Sequence, residues 1–309
     1  MKSNNSLRLA MLVLIFAHAS VLWCQVDAHQ AEADRFGGYI FLDVDGNPLP
    51  FQSDEAIEEF LRTAEVETMA KIPVGVTSPK KAILVGNGVR AHAVFKYDDQ
   101  KKRNKKEHIG GKTRMYLIWR DWFGYDVAAY GVDRLLGLNR MPPIVERKFK
   151  RRGGAFEIWL EGTVTEHYRR ENGHEPPNLA FWNQQQQVMR LFNNLVANRD
   201  PNQGNSLIDQ NWRLWFIDCT RCFGTNADLL TPKGITHCDK VVWQALQELN
   251  EEDLQAQVGS ILSGAEIEAI LKRRDKLVAH IQELVAEHGE EMVFFDLVEA
   301  TDIAPWATD

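Results

Sequence analysis

Apolar residues recur along this chain with two different periods, and the change from one to the other divides it. Between residues 71 and 161 they fall in short runs bounded by Gly, Pro and Asn, the period-two signature of strands. Two such runs flank Gly75-Val76-Thr77-Ser78, Gly86-Asn87-Gly88 closes a hairpin, and Val89 to Lys96 returns with Ala91, Ala93 and Phe95 on one face. Tyr116 to Trp119 reads as a further strand. Met141 to Arg147 and Ala155 to Glu161 form a hairpin around the basic turn from Lys148 to Gly154. Helical spacing interrupts this stretch once, over Gly124 to Leu138, with Val127, Tyr130, Leu135 and Leu138 on one side. Upstream, Tyr39 to Leu42 reads as a short strand leading into a turn at Asp43 to Pro48, and Ser53 to Glu67 as an amphipathic helix with Ser53 as its cap. From Leu179 the period of 3.6 dominates, predicting helices over Leu179 to Ala197, Lys240 to Leu249, Glu251 to Leu262 and Gly264 to His288. One short hairpin, Leu207-Ile208 with Arg213 to Ile217, breaks that series. The pattern predicts an α+β protein: a β-rich N-terminal lobe with one helix (71–161), a polar linker (162–178) and a mainly helical lobe (179–295). An extension (29–70) precedes them, and a poorly ordered tail (296–309) follows.

Composition removes some function classes. The chain has 309 residues, 44% hydrophobic and 26% charged, enough for one large domain or two lobes. A net charge of −7 disfavours broad nucleic-acid binding, and no nucleic-acid partner is expected. The run Lys101-Lys102-Arg103-Asn104-Lys105-Lys106 lacks interleaved aromatics and reads as a solvated basic loop. Residues 1–28 read as a cleaved secretory signal: Lys2 and Arg8 lead an apolar stretch from Leu9 to Trp23, and Val26-Asp27-Ala28 fits a small-residue cleavage site. A secreted, periplasmic or secretory-lumen protein is expected, and a retained N-terminal anchor would be its only membrane contact. Removal of that segment leaves Cys219, Cys222 and Cys238. In an oxidising compartment the odd count suggests a disulfide from Cys238 to Cys219 or Cys222; buried thiols and a zinc site are the alternatives.

The candidate chemistry begins at Asn198-Arg199-Asp200-Pro201-Asn202-Gln203-Gly204-Asn205, followed by Asp218 at the end of Leu214-Trp215-Phe216-Ile217. Every residue type in the loop also favours a plain turn. In phosphoryl transfer, however, one carboxylate takes the proton of the nucleophile, while an amide and a second carboxylate hold metal ions on the phosphates. The order Asp, four residues, Asn, then a strand ending in Asp is the order of a protein-kinase catalytic loop. Upstream, Ala93-Val94-Phe95-Lys96 matches the Val-Ala-Ile-Lys strand that carries a nucleotide-binding lysine, although alternation alone would make Lys96 an exposed edge residue. Asp126 lies in the first turn of the helix predicted from Gly124, where a carboxylate is also favoured electrostatically.

Together these segments resemble the atypical protein-kinase-like fold shared by phosphatidylinositide kinases, bacterial persistence-toxin kinases and secretory-pathway kinases of the Golgi casein-kinase type. The resemblance spans roughly residues 70 to 295. It rests on Gly75 to Pro79, Ala93 to Lys96, Tyr125 to Tyr130, Leu135 to Pro143, Asn198 to Asp200 with Asn205, Phe216 to Asp218, and Lys272 to Asp275. It implies a two-lobed kinase-like fold that binds ATP with Mg²⁺ or Mn²⁺ and phosphorylates an unidentified hydroxyl-bearing protein, sugar or lipid. By position, Lys96 would contact the nucleotide phosphates and Asp126 would orient it. Thr77 and Ser78 would cap the phosphates, and the backbone near Leu160 and Glu161 would receive adenine. Asp200 would be the base, and Asn205 and Asp218 the metal ligands. Departures are plain: Asp126 stands where these families carry Glu, one methylene longer, and Asp218 is followed by Cys219-Thr220-Arg221-Cys222 where Phe-Gly is usual. A kinase-shaped binding module without turnover is therefore the second reading, and a structural protein whose acids only brace turns is the third.

Overall fold

The structure is a computed structural model, and it describes residues 40–72 and 79–297. The signal segment, Thr77, Ser78 and residues 298–309 lie outside the described residues.

Five strands form the N-terminal sheet: β1 (Glu65–Lys71), β2 (Lys80–Gly86), β3 (Val89–Lys96), β6 (Ile144–Glu146) and β7 (Ala155–Ile158). Their order is β1-β2-β3-β7-β6, with every neighbouring pair antiparallel. Helix α1 (Asp54–Thr63) covers one face of the sheet. The Ser53 hydroxyl accepts from the Ala56 N–H at its start, and Ile57, Phe60 and Leu61 point inward. The helix ends four residues earlier than expected, because Glu65 to Lys71 turns extended to pair along β2. Residues 54–70, expected as an extension, thus pack with this sheet. Phe95 and Phe156 stack at the sheet centre with ring centroids 4.7 Å apart, and Phe149 meets both edgewise. Phe156 is fully buried. Phe156→Ala is expected to cost about 3–5 kcal/mol, read as a lower midpoint of denaturant unfolding with unchanged slope.

Strands β4 (Asp99–Ile109) and β5 (Lys112–Trp122) pair only with each other, through the two-residue turn Gly110-Gly111. Both glycines have positive φ, +60° and +75°, as a primed hairpin turn demands. The basic run 101–106 is therefore strand and not loop. The run carries no alternation because both sides of the ribbon are exposed over residues 99–104. Helix α2 (Phe123–Leu135) follows β5 directly and ends at Gly137, φ +61°.

Beyond the sheet, β8 (Val164–Thr165) and α3 (Glu166–Glu171) occupy the stretch expected to be a linker. β8 joins β9 (Ser206–Ile208) and β10 (Leu214–Phe216) in a three-stranded sheet. Helix α4 (Leu179–Leu195), capped by the Asn178 side chain, leads into the Asn198 loop. Helices α5 (Lys240–Glu248), α6 (Glu251–Val258), α7 (Gly264–His288) and α8 (Glu290–Val293) complete the lobe. Ser263 and Glu266 form a capping box at the start of α7. Arg273, in the middle of α7, is fully buried and donates to the carbonyls of Leu195 (2.7 Å) and Asn226 (2.6 Å), which ties α7 to the end of α4. At the beginning of the expected tail, Lys240 pairs with Asp296 and the Leu297 N–H donates to Asp239. These contacts hold two residues that were expected to be loose.

The expected disulfide from Cys238 is not formed: Cys219, Cys222 and Cys238 are free, buried thiols. Cys238 opens β11 (Cys238–Asp239), which pairs with β12 (Phe294–Phe295), and its thiol donates to the Asp239 carbonyl. The Cys222 N–H donates to the Cys219 carbonyl at 2.9 Å, and the Cys219 N–H donates to Asp126, so the two cysteines share one turn beside that carboxylate. The neighbouring Cys222 thiol and then burial hold Cys219 well above the ordinary thiol range, and burial raises Cys238 too, so neither is a ready thiolate nucleophile.

Candidate active site

A cleft of about 350 Å³ lies between the five-stranded sheet and the β8-β9-β10 sheet. One end is apolar, walled by Ile72, Val94, Ile158, Leu160, Leu207 and Ile217. The other end presents Lys96, Glu157, Asn205 and Asp218. The division suits a ligand with a flat apolar ring and an anionic tail.

Sheet register builds the polar end. Lys96 pairs with Ala155 and Val94 with Glu157, so Lys96 and Glu157 are diagonal neighbours on one face. Helix α2 leaves β5 with Asp126 in its first turn and drives that carboxylate, fully buried, against the same lysine. The Lys96 ammonium donates to Asp126 Oδ2 at 2.9 Å and to Glu157 Oε2 at 3.0 Å. The shorter Asp side chain therefore reaches the lysine without a Glu at that position. Asp126 Oδ1 accepts the Cys219 N–H, so one carboxylate ties the lysine to the turn after Asp218. Glu157 escaped the sequence reading, although a lone Glu within Ala155-Phe156-Glu157-Ile158 on the face of Lys96 is a usable signal.

The loop side is built by short-range hydrogen bonds. Asn205 Nδ2 donates to the Asp200 carbonyl (3.0 Å), and the Ile217 N–H donates to the Asn205 carbonyl (3.1 Å), which sets Asn205 next to the base of Asp218. Asp218 holds φ +59°, a conformation Asp tolerates better than most residues, and its Oδ1 accepts the Thr220 hydroxyl at 3.1 Å. The Asp200 N–H donates to Asn198 Oδ1, and Arg199 donates to the carbonyls of Arg221 and Arg120, so both neighbours brace the loop. Asp200 itself does not line the cleft. Its Oδ2 accepts from Arg221 Nη1 at 2.7 Å, and Arg221 Nε donates to the buried Asp121 at 2.7 Å. That pairing was not foreseen, because Asp121 lies a hundred residues before Arg221. Leu160 lines the cleft and its carbonyl accepts the Thr163 hydroxyl; the Glu161 carboxylate instead meets His92 and Lys81.

Charges at the polar end are unbalanced: one ammonium faces three carboxylates. Burial by itself would lower the Lys96 pKa, but Asp126, Glu157 and Asp218 outweigh it and hold the ammonium above its ordinary value. Burial raises Asp126 and Glu157 against the pull of Lys96, and the Asp218 charge adds to both rises. Among the described residues no three His, Cys, Asp or Glu side chains converge to hold a metal ion. Asn205 and Asp218 both line this cleft, and an amide oxygen and a carboxylate are the kinds of oxygen donor that a hard divalent cation takes.

No protein-family model matches the chain, and no curated protein matches it in sequence. Solved structures do match. A hydra Fam20 structure determined with sugar aligns with a TM-score of 0.60 at 16% identity, over 86% of this chain and 98% of that one. Golgi casein kinase aligns at 0.55 and 14% identity, over 79% of this chain and 80% of its own. Its form with Mn/ADP bound aligns at 0.56 and 15%, covering 81% and 80%. The chain has an atypical protein-kinase-like fold, mixed α+β, of the kind these structures share.

Proposed function

We propose that this protein is an ATP-dependent phosphotransferase that moves the γ-phosphoryl group of ATP to a hydroxyl acceptor. The observation that carries this reading is the Lys96 ammonium gripped by Asp126 and Glu157 at the polar end of an apolar cleft, opposite Asn205 and Asp218. Adenine fits between Val94, Ile158, Leu160, Leu207 and Ile217, and Lys96 meets the phosphates. Asp200 takes the acceptor proton as the acceptor oxygen bonds to the γ-phosphorus and the bond to the bridging oxygen breaks, releasing ADP. A divalent ion held by Asn205 and Asp218 would offset the excess negative charge and neutralise the phosphates. The Mn/ADP reported for the Golgi casein kinase relative supports this pairing of ion and nucleotide.

The Arg221–Asp200 ion pair favours a second reading, a nucleotide-binding module without turnover, because the proposed base is already engaged. Incubation with labelled ATP and Mg²⁺ or Mn²⁺ against casein, sugars and lipids separates the two. Transfer by the wild type that falls by about 10²–10⁴-fold in Asp200→Ala, with nucleotide binding intact, is the expected result. A metal-ATP thermal shift without any transfer would establish the module instead, and the absence of both would exclude both readings.

A further inference from the structure

The β4–β5 ribbon contributes no strand to the sheets around the cleft, yet several of its side chains are packed. Trp119 is buried and its indole N–H donates to Glu107 Oε1 at 2.7 Å, Lys105 sits over the Trp119 ring, and Arg199 lies over Tyr116. Arg114 donates to the Leu229 carbonyl at 3.0 Å, and at the turn a Cβ on Gly110 would come within 2.3 Å of the Leu230 carbonyl. These contacts seat the ribbon through β5 and its turn, while residues 99–104 of β4 stay exposed on both sides.

Its solvent-exposed residues are both apolar and cationic. Met115, Leu117 and Ile118 are 52%, 74% and 72% exposed, the last two being the most exposed large apolar residues described. Across the ladder, Lys106 pairs with Met115 and Arg103 with Ile118, while Lys112 starts β5 at the turn. Among the described residues Arg103, Lys106 and Lys112 form no ion pair. Residues 99–122 hold eight lysines and arginines against three acids, in a chain whose net charge is −7. Evenly spread charge would not leave such a ribbon, and a merely solvated one has no use for three protruding apolar side chains. Unpaired lysines also protect a strand edge from association, but that role does not call for Leu117 and Ile118 beside them.

We propose that the solvent-exposed surface of the β4–β5 ribbon is a docking surface for an anionic membrane: Met115, Leu117 and Ile118 enter the headgroup boundary while Arg103, Lys106 and, at the turn, Lys112 meet lipid phosphates. Single apolar side chains standing out between cations suit an interface that is apolar below and anionic above. None of these residues lines a described cavity in which an acidic peptide could seat its side chains. At its base the ribbon joins the candidate site, since Trp122 N–H donates to the Thr220 carbonyl and Asp121 holds Arg221. Docking would therefore bring the catalytic loop to the lipid surface, although the proposal does not depend on turnover.

The test is co-sedimentation of the full chain with phosphatidylcholine vesicles, with and without phosphatidylglycerol, over a salt series. Each basic residue near an anionic surface is worth on the order of fivefold in partitioning. The wild type is expected to prefer the anionic vesicles by at least about tenfold, and to lose that preference as salt rises. Arg103→Glu/Lys106→Glu/Lys112→Glu should abolish the preference, and Met115→Ser/Leu117→Ser/Ile118→Ser should weaken binding about tenfold, both with unchanged melting temperature. The apolar N-terminal segment is common to all three proteins, so differences between them report on the ribbon alone. Equal binding to both vesicles, or a charge-reversed variant that keeps the preference, would overturn the proposal. A serine variant that binds like the wild type would overturn the insertion. Binding of polyglutamate through the same three cations without vesicle binding would assign the surface to an acidic polypeptide instead.

Discussion

Asp218→Asn is expected to lower phosphoryl transfer about a thousandfold while leaving the melting temperature unchanged or raised. The two effects separate because Asp218 is a liability to the empty fold. Its charge raises the carboxyl groups of Asp126 and Glu157, which already share a single lysine. Asn removes that repulsion and still tolerates the positive φ that Asp218 holds, so the turn after β10 keeps its shape. The Thr220 hydroxyl can still donate to the Asn side-chain oxygen, as it does to Asp218 Oδ1. What is lost is the negative charge that would hold a divalent ion on the nucleotide. Activity with Mg²⁺ or Mn²⁺ and a thermal melt, measured on one preparation, check both halves. A variant that is less stable and equally active would show that Asp218 only braces the turn.

Lys96→Met is expected to have the largest effect on stability, because it leaves two buried carboxylates without their cation. Breaking a buried pair by removing one partner costs about 3–5 kcal/mol, and here one ammonium serves two partners. The deficit should depend on pH, with a definite sign. Burial raises both carboxyl groups above their ordinary values of 3.8 and 4.5 even with Lys96 present, and its removal raises them further. Above those ordinary values the unfolded chain gives up protons that the folded variant retains, so stability falls as pH rises through that window. Urea unfolding of the variant should thus approach the wild type in mild acid and fall away toward neutrality. Adding Glu157→Gln, which removes one buried charge and keeps the side-chain shape, should restore part of the loss at neutral pH. A pH-independent deficit would point to lost packing by the lysine stem and not to stranded charge.

The chain announces its local structure wherever a residue's neighbours in sequence are also its neighbours in space. Gly86-Asn87-Gly88 forms its hairpin, Ser53 caps its helix, and the helix predicted over Gly264 to His288 has those bounds. The α+β division into a sheet region and a helical region was legible for the same reason. So was the grouping of Lys96, Asp126, Asn205 and Asp218, but only through a known motif order, since spacing along the chain does not state distance across a cleft.

What escaped the sequence lies in contacts between distant segments. The basic run 101–106 looked like a loop because its ladder partners come after a turn and most of its residues face water. Helix α3 hid in a polar stretch because Glu166 is buried against Arg169 and so breaks the apolar pattern. The cysteine pairing expected from an odd count failed because β11 carries Cys238 into a pairing with Phe294, while Cys219 and Cys222 meet each other beside Asp126.

The sequence by itself determined most of the helices and the tight hairpins, and which acids, amides and lysine are the candidates for a site, because periodicity and turn chemistry act over a few residues. Only the tertiary structure decided how those groups are charged and engaged. Glu157 as second partner of Lys96, the hold of Arg221 on Asp200, and the seating of the basic, apolar ribbon all depend on strand register and helix placement between segments 21 to 115 residues apart. Electrostatic coupling follows distance in space, and a linear pattern does not record it.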